Sequence, residues 1–295
     1  MNEEGVSRDI IGITEKAVEG FASGAAITER EIMSSINRLI AQLDVGPQGN
    51  VKPNSANLRL LRGINKKIEK LVITPKYLKR LDKYLGNFAK VKGITDGLFN
   101  EVAKDFKANK AVFKDTLAVN LELTSRSLKQ SGISANVVKP ITDLVQKGIT
   151  SGMSVQQIEN DLRLQILGDQ KRLGGLQRYV KQISRDALNQ YSRNYNKAIS
   201  DDLSLEWYYY SGSVIKDTRE YCEDRAGRYF HRAEVEDVPS PWAGMIPGTN
   251  SGSIFINAGG YNCRHIWMPV LIDVVPRDVI DRNIAMGNYR VEVEA

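Results

Sequence analysis

Leu205-Glu206-Trp207-Tyr208-Tyr209-Tyr210 is the stretch at which the character of the chain changes. Successive aromatic residues favour an extended, half-buried strand. Upstream, apolar residues recur every three or four positions. Downstream, short strand candidates alternate with Gly, Pro, Ser and Asn. The fold class this predicts is a mainly α N-terminal region followed by a small α+β C-terminal module. The boundary is expected near residue 204. Residues 1–204 then form the helical region, a docking arm or a bundle, and residues 205–295 form the module with its C-terminal tail.

Working outward toward the N-terminus, Leu176 to about Ile199 predicts the clearest long helix, with Leu176, Val180, Ile183, Ala187, Tyr191 and Tyr195 at helical spacing. Ser154-Val155-Gln156-Gln157 reads as a cap leading into Ile158, Leu162 and Ile166. Helices are expected over Val112–Leu128 and Val137–Ile149, the latter interrupted near Pro140. Pro75 opens a helix carrying Tyr77, Leu78, Leu81, Tyr84, Leu85 and Phe88, and Gly93 and Gly97 punctuate the stretch after it. Leu58 to Leu71 predicts another. Thr28-Glu29-Arg30-Glu31 has the capping-box pattern of a helix start, ahead of Ile32, Ile36, Leu39, Ile40 and Leu43. Toward the C-terminus, Ser253–Asn257 and His265–Leu271 are the best strand candidates. The tail from Val274 predicts a short helix and a final alternation from Tyr289 to Val293.

The 295 residues are enough for one large or two ordinary domains, and 42% hydrophobic with 26% charged residues lies in the globular range. The acidic start Met1-Asn2-Glu3-Glu4-Gly5 predicts no secretory leader, and no apolar run reaches membrane-spanning length. A soluble protein made in a cytoplasm is expected, and with only Cys222 and Cys263 no disulfide scaffold. No P-loop, dinucleotide fingerprint, HExxH or GxSxG motif is present.

The net charge of +6 is unevenly spread. Residues 51–110 hold 15 Lys and Arg against 5 Asp and Glu, whereas residues 206–295 hold 9 against 13. Lys66, Lys67, Lys70, Lys76, Lys79, Arg80 and Lys83 are the candidates for meeting phosphate or an acidic partner surface. A solvated face of lysine-rich helices explains the same residues.

Both cysteines, both histidines and all three tryptophans lie after residue 206. Cys222, His231, Cys263 and His265 make a Cys2His2 set, the donor chemistry of tetrahedral zinc. In an extended Cys263-Arg264-His265, residues 263 and 265 share a face. The eight residues between Cys222 and His231 exceed the usual spacing of a zinc pair. Buried packing and a Cys–His nucleophile are the other readings of the set. Asp217, Glu220, Glu223, Asp224, Glu234, Glu236 and Asp237 suggest magnesium-dependent hydrolysis, or surface ion pairs with Arg219, Arg225, Arg228 and Arg232.

Asp217-Thr218-Arg219-Glu220-Tyr221-Cys222, Gly227-Arg228-Tyr229-Phe230, Trp242 and Gly259-Gly260-Tyr261-Asn262-Cys263-Arg264-His265 together resemble the Mu-F-like phage head morphogenesis domain. The resemblance covers roughly residues 176–271. Its motif positions here are Asp217, Arg219, Gly227, Trp242, Gly259, Gly260, Asn262 and Arg264. Many members carry a second Cys three residues after the first, where this chain has Arg225. The resemblance implies a minor head protein of a tailed bacteriophage, assembled in the bacterial cytoplasm and located inside the virion near the portal vertex. Portal and capsid proteins are its implied partners, with non-specific contact to packaged DNA and none to membrane. It implies a role in genome packaging or ejection, and binding rather than catalysis. A metal-dependent nuclease or hydrolase and an effector packaged in the head are the rival readings.

Overall fold

The computed structural model of the chain describes residues 3–290. The fold is of the expected class, helical through its first two thirds with a small antiparallel sheet and short helices near the C-terminus. The helices preceding the sheet are α1 (Glu3–Ile40), α2 (Ser55–Leu61), α3 (Ile64–Val72), α4 (Pro75–Val102), α5 (Ala111–Lys129), α6 (Ser131–Ile133), α7 (Lys139–Thr150), α8 (Val155–Leu167) and α9 (Gly175–Asp202). A π-helical turn, Ser134–Val138, joins α6 to α7 and places Pro140 in the first turn of α7, where its missing N–H costs no bond. Then come β1 (Trp207–Ser211), α10 (Glu220–Glu223), β2 (Arg228–His231), α11 (Arg232–Glu236), α12 (Ile254–Asn257), β3 (Ile266–Val270) and α13 (Arg277–Ala285).

Several expectations are corrected. α1 begins at Glu3, and Thr28 is a buried interior residue rather than a cap. A stripe of Val6, Ile10, Val18, Phe21, Ala25, Ile32 and Ile36 keeps one side of that helix buried. The helix expected from Leu58 to Leu71 is broken at Gly63, which takes a left-handed φ of 75° between α2 and α3. Gly93 and Gly97 interrupt nothing and lie within α4. Of the strand expected over Ser253–Asn257, Ile254–Asn257 is helical (α12) and Ser253 is its N-cap. Part of the final alternation, Val291 to Val293, lies outside the described residues.

The chain divides into two compact units, each made of separated segments. One comprises Met1–Glu15, Gly86–Leu121 and Arg185–Ala295, the other Lys16–Leu85 and Glu122–Ser184. The boundary expected at residue 204 is therefore not where the units divide. The physical reason lies on α9, where Asn189, Arg193 and Asn196 donate to backbone carbonyls of residues 256–267 and tie the end of the helix to the module.

In the unit holding residues 16–85, Phe21 stacks on Tyr84 with centroids 5.4 Å apart and packs against Tyr77. The buried Tyr77 and Tyr84 hydroxyls donate to the carbonyls of Leu128 and Ser184, each at 2.7 Å. Ser154 and Gln157 form the expected capping box of α8. Glu29 accepts the Gln177 N–H at 2.8 Å in the first turn of α9, and burial pushes its carboxyl up from 4.5 to about 7.

In the other unit, the rings of Phe88, Tyr191, Tyr195, Phe113, Phe106 and Phe99 form a continuous chain with centroids 5.1–5.8 Å apart. The sheet of this unit has the order β2-β1-β3, antiparallel throughout. Pro269 is tolerated because β3 is an edge strand. Trp207 pairs with His231 and Val270, and Tyr210 with Arg228 and Trp267. Alternation then sends Tyr208, Tyr210 and Trp267 to one face with both cysteines, and Trp207, Tyr209 and Val270 to the other with Val279 and Ile280 of α13.

Candidate metal centre

Cys222, Cys263 and His265 meet on the tyrosine face of the sheet, all buried, with their donor atoms within 4.8 Å of one another. Cys222 sits in the single turn of α10, opened by Arg219. Cys263 and His265 come from the segment entering β3. Asn262, at a left-handed φ of 58°, turns the chain into it. The two sulfurs are 3.8 Å apart and unbonded, and Cys263 Sγ lies 3.9 Å from His265 Nδ1. The Tyr210 hydroxyl lies 3.4 Å from Cys222 Sγ and 3.9 Å from Cys263 Sγ. Its ring stacks on the His265 imidazole with centroids 5.2 Å apart.

The hydrogen bond between the two thiols drives their acidities apart. Cys222 is pushed up, first by its hydrogen bond to Cys263 and then by burial. Cys263 is pulled well down by accepting that bond, against the cost of burial, with help from the Arg193 guanidinium and His265. Burial pushes the Tyr210 hydroxyl up, so it remains a donor.

The backbone leaves room for this cluster only because residue 259 is glycine. A Cβ there would stand 2.1 Å from Cys222 Sγ and 3.0 Å from Cys263 Sγ. A Cβ at Gly212 would stand 2.4 Å from His265 Cδ2. Arg219 holds the glycine turn from outside, donating to the carbonyls of Gly259 at 3.1 Å and Tyr261 at 2.6 Å. Trp242 donates to the same Gly259 carbonyl at 3.2 Å and stacks on Tyr221. Gly260 has φ 91° and passes so close to Gly244 that a Cβ would meet its carbonyl at 2.1 Å.

Of the other motif positions, Gly227 and Asn262 serve the same frame. The Gly227 N–H closes onto the Tyr210 carbonyl at 2.9 Å, and the Asn262 N–H reaches Asp186 at 3.2 Å. Arg264 pairs with Glu15 at 3.1 Å. Asp217 is exposed at the rim of a pocket. Arg225 lies over the Tyr221 ring, 4.1 Å from its centroid, and bonds the Tyr221 carbonyl.

His231 does not join the cluster. Its register against Trp207 puts it on the opposite face, edge-on to the Trp207 ring at 4.9 Å. Its Nδ1 accepts the Ala233 N–H at 3.2 Å, and Glu234 accepts the His231 N–H at 2.9 Å, so the imidazole caps α11. The acidic candidates do not converge either. Glu234 is held by Arg282 and Asn283, and Glu236 by Arg232. Among the described residues Cys222, Cys263 and His265 form the one group of three or more potential metal donors.

Sequence reasoning missed Arg193. It is 3% exposed and donates to the carbonyls of His265 at 2.9 Å, Ile256 at 3.1 Å and Cys263 at 2.7 Å. Asn189 reaches the Cys263 carbonyl at 3.0 Å and Asn196 the Trp267 carbonyl at 3.1 Å. The signal was a polar 189-193-196 row, at i, i+4 and i+7, on a helix that otherwise presents Tyr191 and Tyr195.

Above the cluster a pocket opens to solvent between Ser213, Ile215, Asp217 and Thr218, with Cys222, Cys263 and His265 at its base. About 60 Å³ of it admits water-sized molecules, enough for a few waters. The lysine candidates lie elsewhere. Lys66, Lys67 and Lys70 are exposed on α3, and Lys76, Lys79 and Lys83 on α4. Arg80 leaves that set, because it is half-buried and donates to the Gly24 carbonyl at 2.8 Å.

A mainly α chain closed by a small three-stranded module with a Cys2His cluster is the class that fold and site define. The chain matches no family model, no curated protein and no solved structure.

Proposed function

We propose that this chain is a minor head protein of a tailed bacteriophage, working by binding to the portal and capsid inside the head and assisting genome packaging or ejection. The observation that supports this reading is the convergence of the motif residues. Arg219, Cys222, Trp242, Gly259, Gly260 and Cys263 are scattered over some forty positions, yet they interlock around one glycine turn. A sequence signature whose members brace one another is what a resemblance to the Mu-F-like domain needs if it is to extend to structure. The exposed lysines of α3 and α4 suit an acidic partner surface or packaged DNA, bound non-specifically.

The test is co-purification of the full chain with the portal oligomer from the same genome. Retention at low salt, weakened in a variant carrying Lys66→Glu, Lys67→Glu, Lys76→Glu and Lys79→Glu, is the expected result. Failure of the folded full chain to be retained on portal or capsid protein at low salt would overturn the proposal. The pocket over the cysteine–histidine cluster favours a second reading, a metal-dependent hydrolase. Divalent-dependent degradation of plasmid DNA, abolished by His265→Ala, would establish it.

A further inference from the structure

We propose that Cys222, Cys263 and His265 bind a single borderline-soft divalent cation of the zinc class, with the fourth coordination position open to the pocket. The site does not depend on the head-protein reading.

The spacing of the donors is the first reason. Two thiolates at about 2.3 Å from a tetrahedral zinc stand about 3.8 Å apart. The separation of Cys222 Sγ from Cys263 Sγ is 3.8 Å. A sulfur and an imidazole nitrogen on the same ion stand about 3.6 Å apart, and Cys263 Sγ to His265 Nδ1 is 3.9 Å. The third pair, Cys222 and His265, has its donor atoms within 4.8 Å, so closing on one ion takes a movement of about 1 Å at most.

The state of His265 is the second reason. The residue is 4% exposed, its Nε2 is buried with no hydrogen-bond partner, and its Nδ1 faces only the Cys263 sulfur. A buried imidazole with neither nitrogen well bonded carries a desolvation cost of a few kcal/mol. A cation bound at Nδ1 offsets the part of that cost that falls on this nitrogen.

The third reason is the room made for the donors. Glycines stand at 259 and 212, the two points where a side chain would strike Cys222 or His265. The surroundings also suit a dithiolate site. The Tyr210 hydroxyl is aimed at both sulfurs, and Arg193 grips the Cys263 and His265 carbonyls. Such outer partners fix the orientation of metal ligands. Two sulfurs and a nitrogen select zinc-class ions over magnesium or calcium, which take oxygen. Three protein donors and an adjoining pocket leave one place for water or an exogenous ligand. His231 caps α11 on the other face of the sheet and is not the fourth ligand.

The test uses the full chain, purified under reducing conditions without chelator, with zinc or cobalt(II) as the probe. One equivalent should bind. The cobalt form should show intense tetrahedral visible bands and a thiolate-to-cobalt charge-transfer band. His265→Ala should weaken binding by at least about 100-fold, beyond the 10–100-fold expected for an outer-shell partner, and Tyr210→Phe should weaken it by about 10-fold. His231→Ala should leave both the stoichiometry and the spectrum unchanged. Added azide or imidazole should shift the visible bands by entering the fourth position. The wild-type cobalt spectrum is decisive even if Cys222→Ser or Cys263→Ser fails to fold. Reduced, folded protein that takes up neither metal would overturn the proposal. So would a Cys222–Cys263 disulfide that, once reduced, binds no metal, and this result would assign a redox pair instead. Loss of the spectrum in folded His231→Ala would overturn the three-ligand set. A spectrum indifferent to azide and imidazole would overturn the open position.

Discussion

Replacing Arg193 by Met keeps the length and apolar stem of the side chain and deletes its three hydrogen bonds to the carbonyls of His265, Ile256 and Cys263. Bonds from a charged donor contribute about 1.5 kcal/mol each at the low end, so their loss costs about 4–5 kcal/mol. Removing a buried guanidinium recovers about 1–2 kcal/mol of desolvation. Asn189 still serves the Cys263 carbonyl. The net expectation is a loss of about 3 kcal/mol, a large part of the stability of an ordinary domain. Trp207, Trp242 and Trp267 all lie in the unit that contains Arg193, so tryptophan fluorescence during guanidinium unfolding reports on that unit. Arg193→Lys should recover less than half of the loss, because an ammonium lacks the planar fork that reaches three carbonyls. A loss under about 1 kcal/mol in Arg193→Met, with the slope of the unfolding transition unchanged, would refute the claim that this arginine ties α9 to the module.

Gly259→Ala places a methyl 2.1 Å from Cys222 Sγ and should cost about 2–3 kcal/mol, whereas Gly20→Ala, exposed in α1 with nothing within 4 Å of the new Cβ, should stabilise by about 0.5–1 kcal/mol. Equal effects in paired denaturant melts would contradict the close-approach account. Glu29, raised to about 7, stabilises its unit fully below its unfolded value of 4.5, and that stability is lost as pH rises through 7. Between pH 5.5 and 8 the change should be about 1–2 kcal/mol after allowance for solvent screening, and it should vanish in Glu29→Gln when melts by far-ultraviolet circular dichroism are compared at those two values. Ser154→Ala removes the α8 cap and should cost about 1 kcal/mol, with faster amide exchange confined to the first turn of that helix.

The long helix α9 was legible because its period of about 3.6 runs through more than twenty residues, and the strand β1 because successive aromatic residues favour an extended chain. Ser253–Asn257 was not. A Ser-Ile-Phe-Ile-Asn run of five suits one helical turn as well as a strand, and the contacts of Ile254 and Phe255 with the sheet decide it. The start of α1 was hidden because part of its buried stripe is Ser7, Thr14 and Ala25, residues that carry little hydropathy, while Thr28 and Glu31 imitate a start in mid-helix. For the candidate site, scarce residue types pointed to Cys222, Cys263 and His265. His231 was misplaced because spacing along the chain says nothing of strand parity. Phe230 and His231 are neighbours in sequence and lie on opposite faces of the sheet. Arg193 escaped because a lone arginine in a helix resembles any solvated one until its carbonyl partners, more than sixty residues away, are known.

One unit gathers residues 1–15, 86–121 and 185–295. Its first and last segments leave the ribosome far apart in time. At elongation rates of about 5–20 residues per second, the segment ending at Glu15 waits about 10–30 s for Arg185 to emerge. Val6 and Ile10, fully buried in the finished molecule, belong to that waiting segment. The other unit has all its segments once Ser184 is out. Synthesis therefore imposes an order in which the unit that begins the chain is the last to close. Slowed translation, or scarce chaperone, should trap a species with one unit formed and the amino-terminal segment still uncovered.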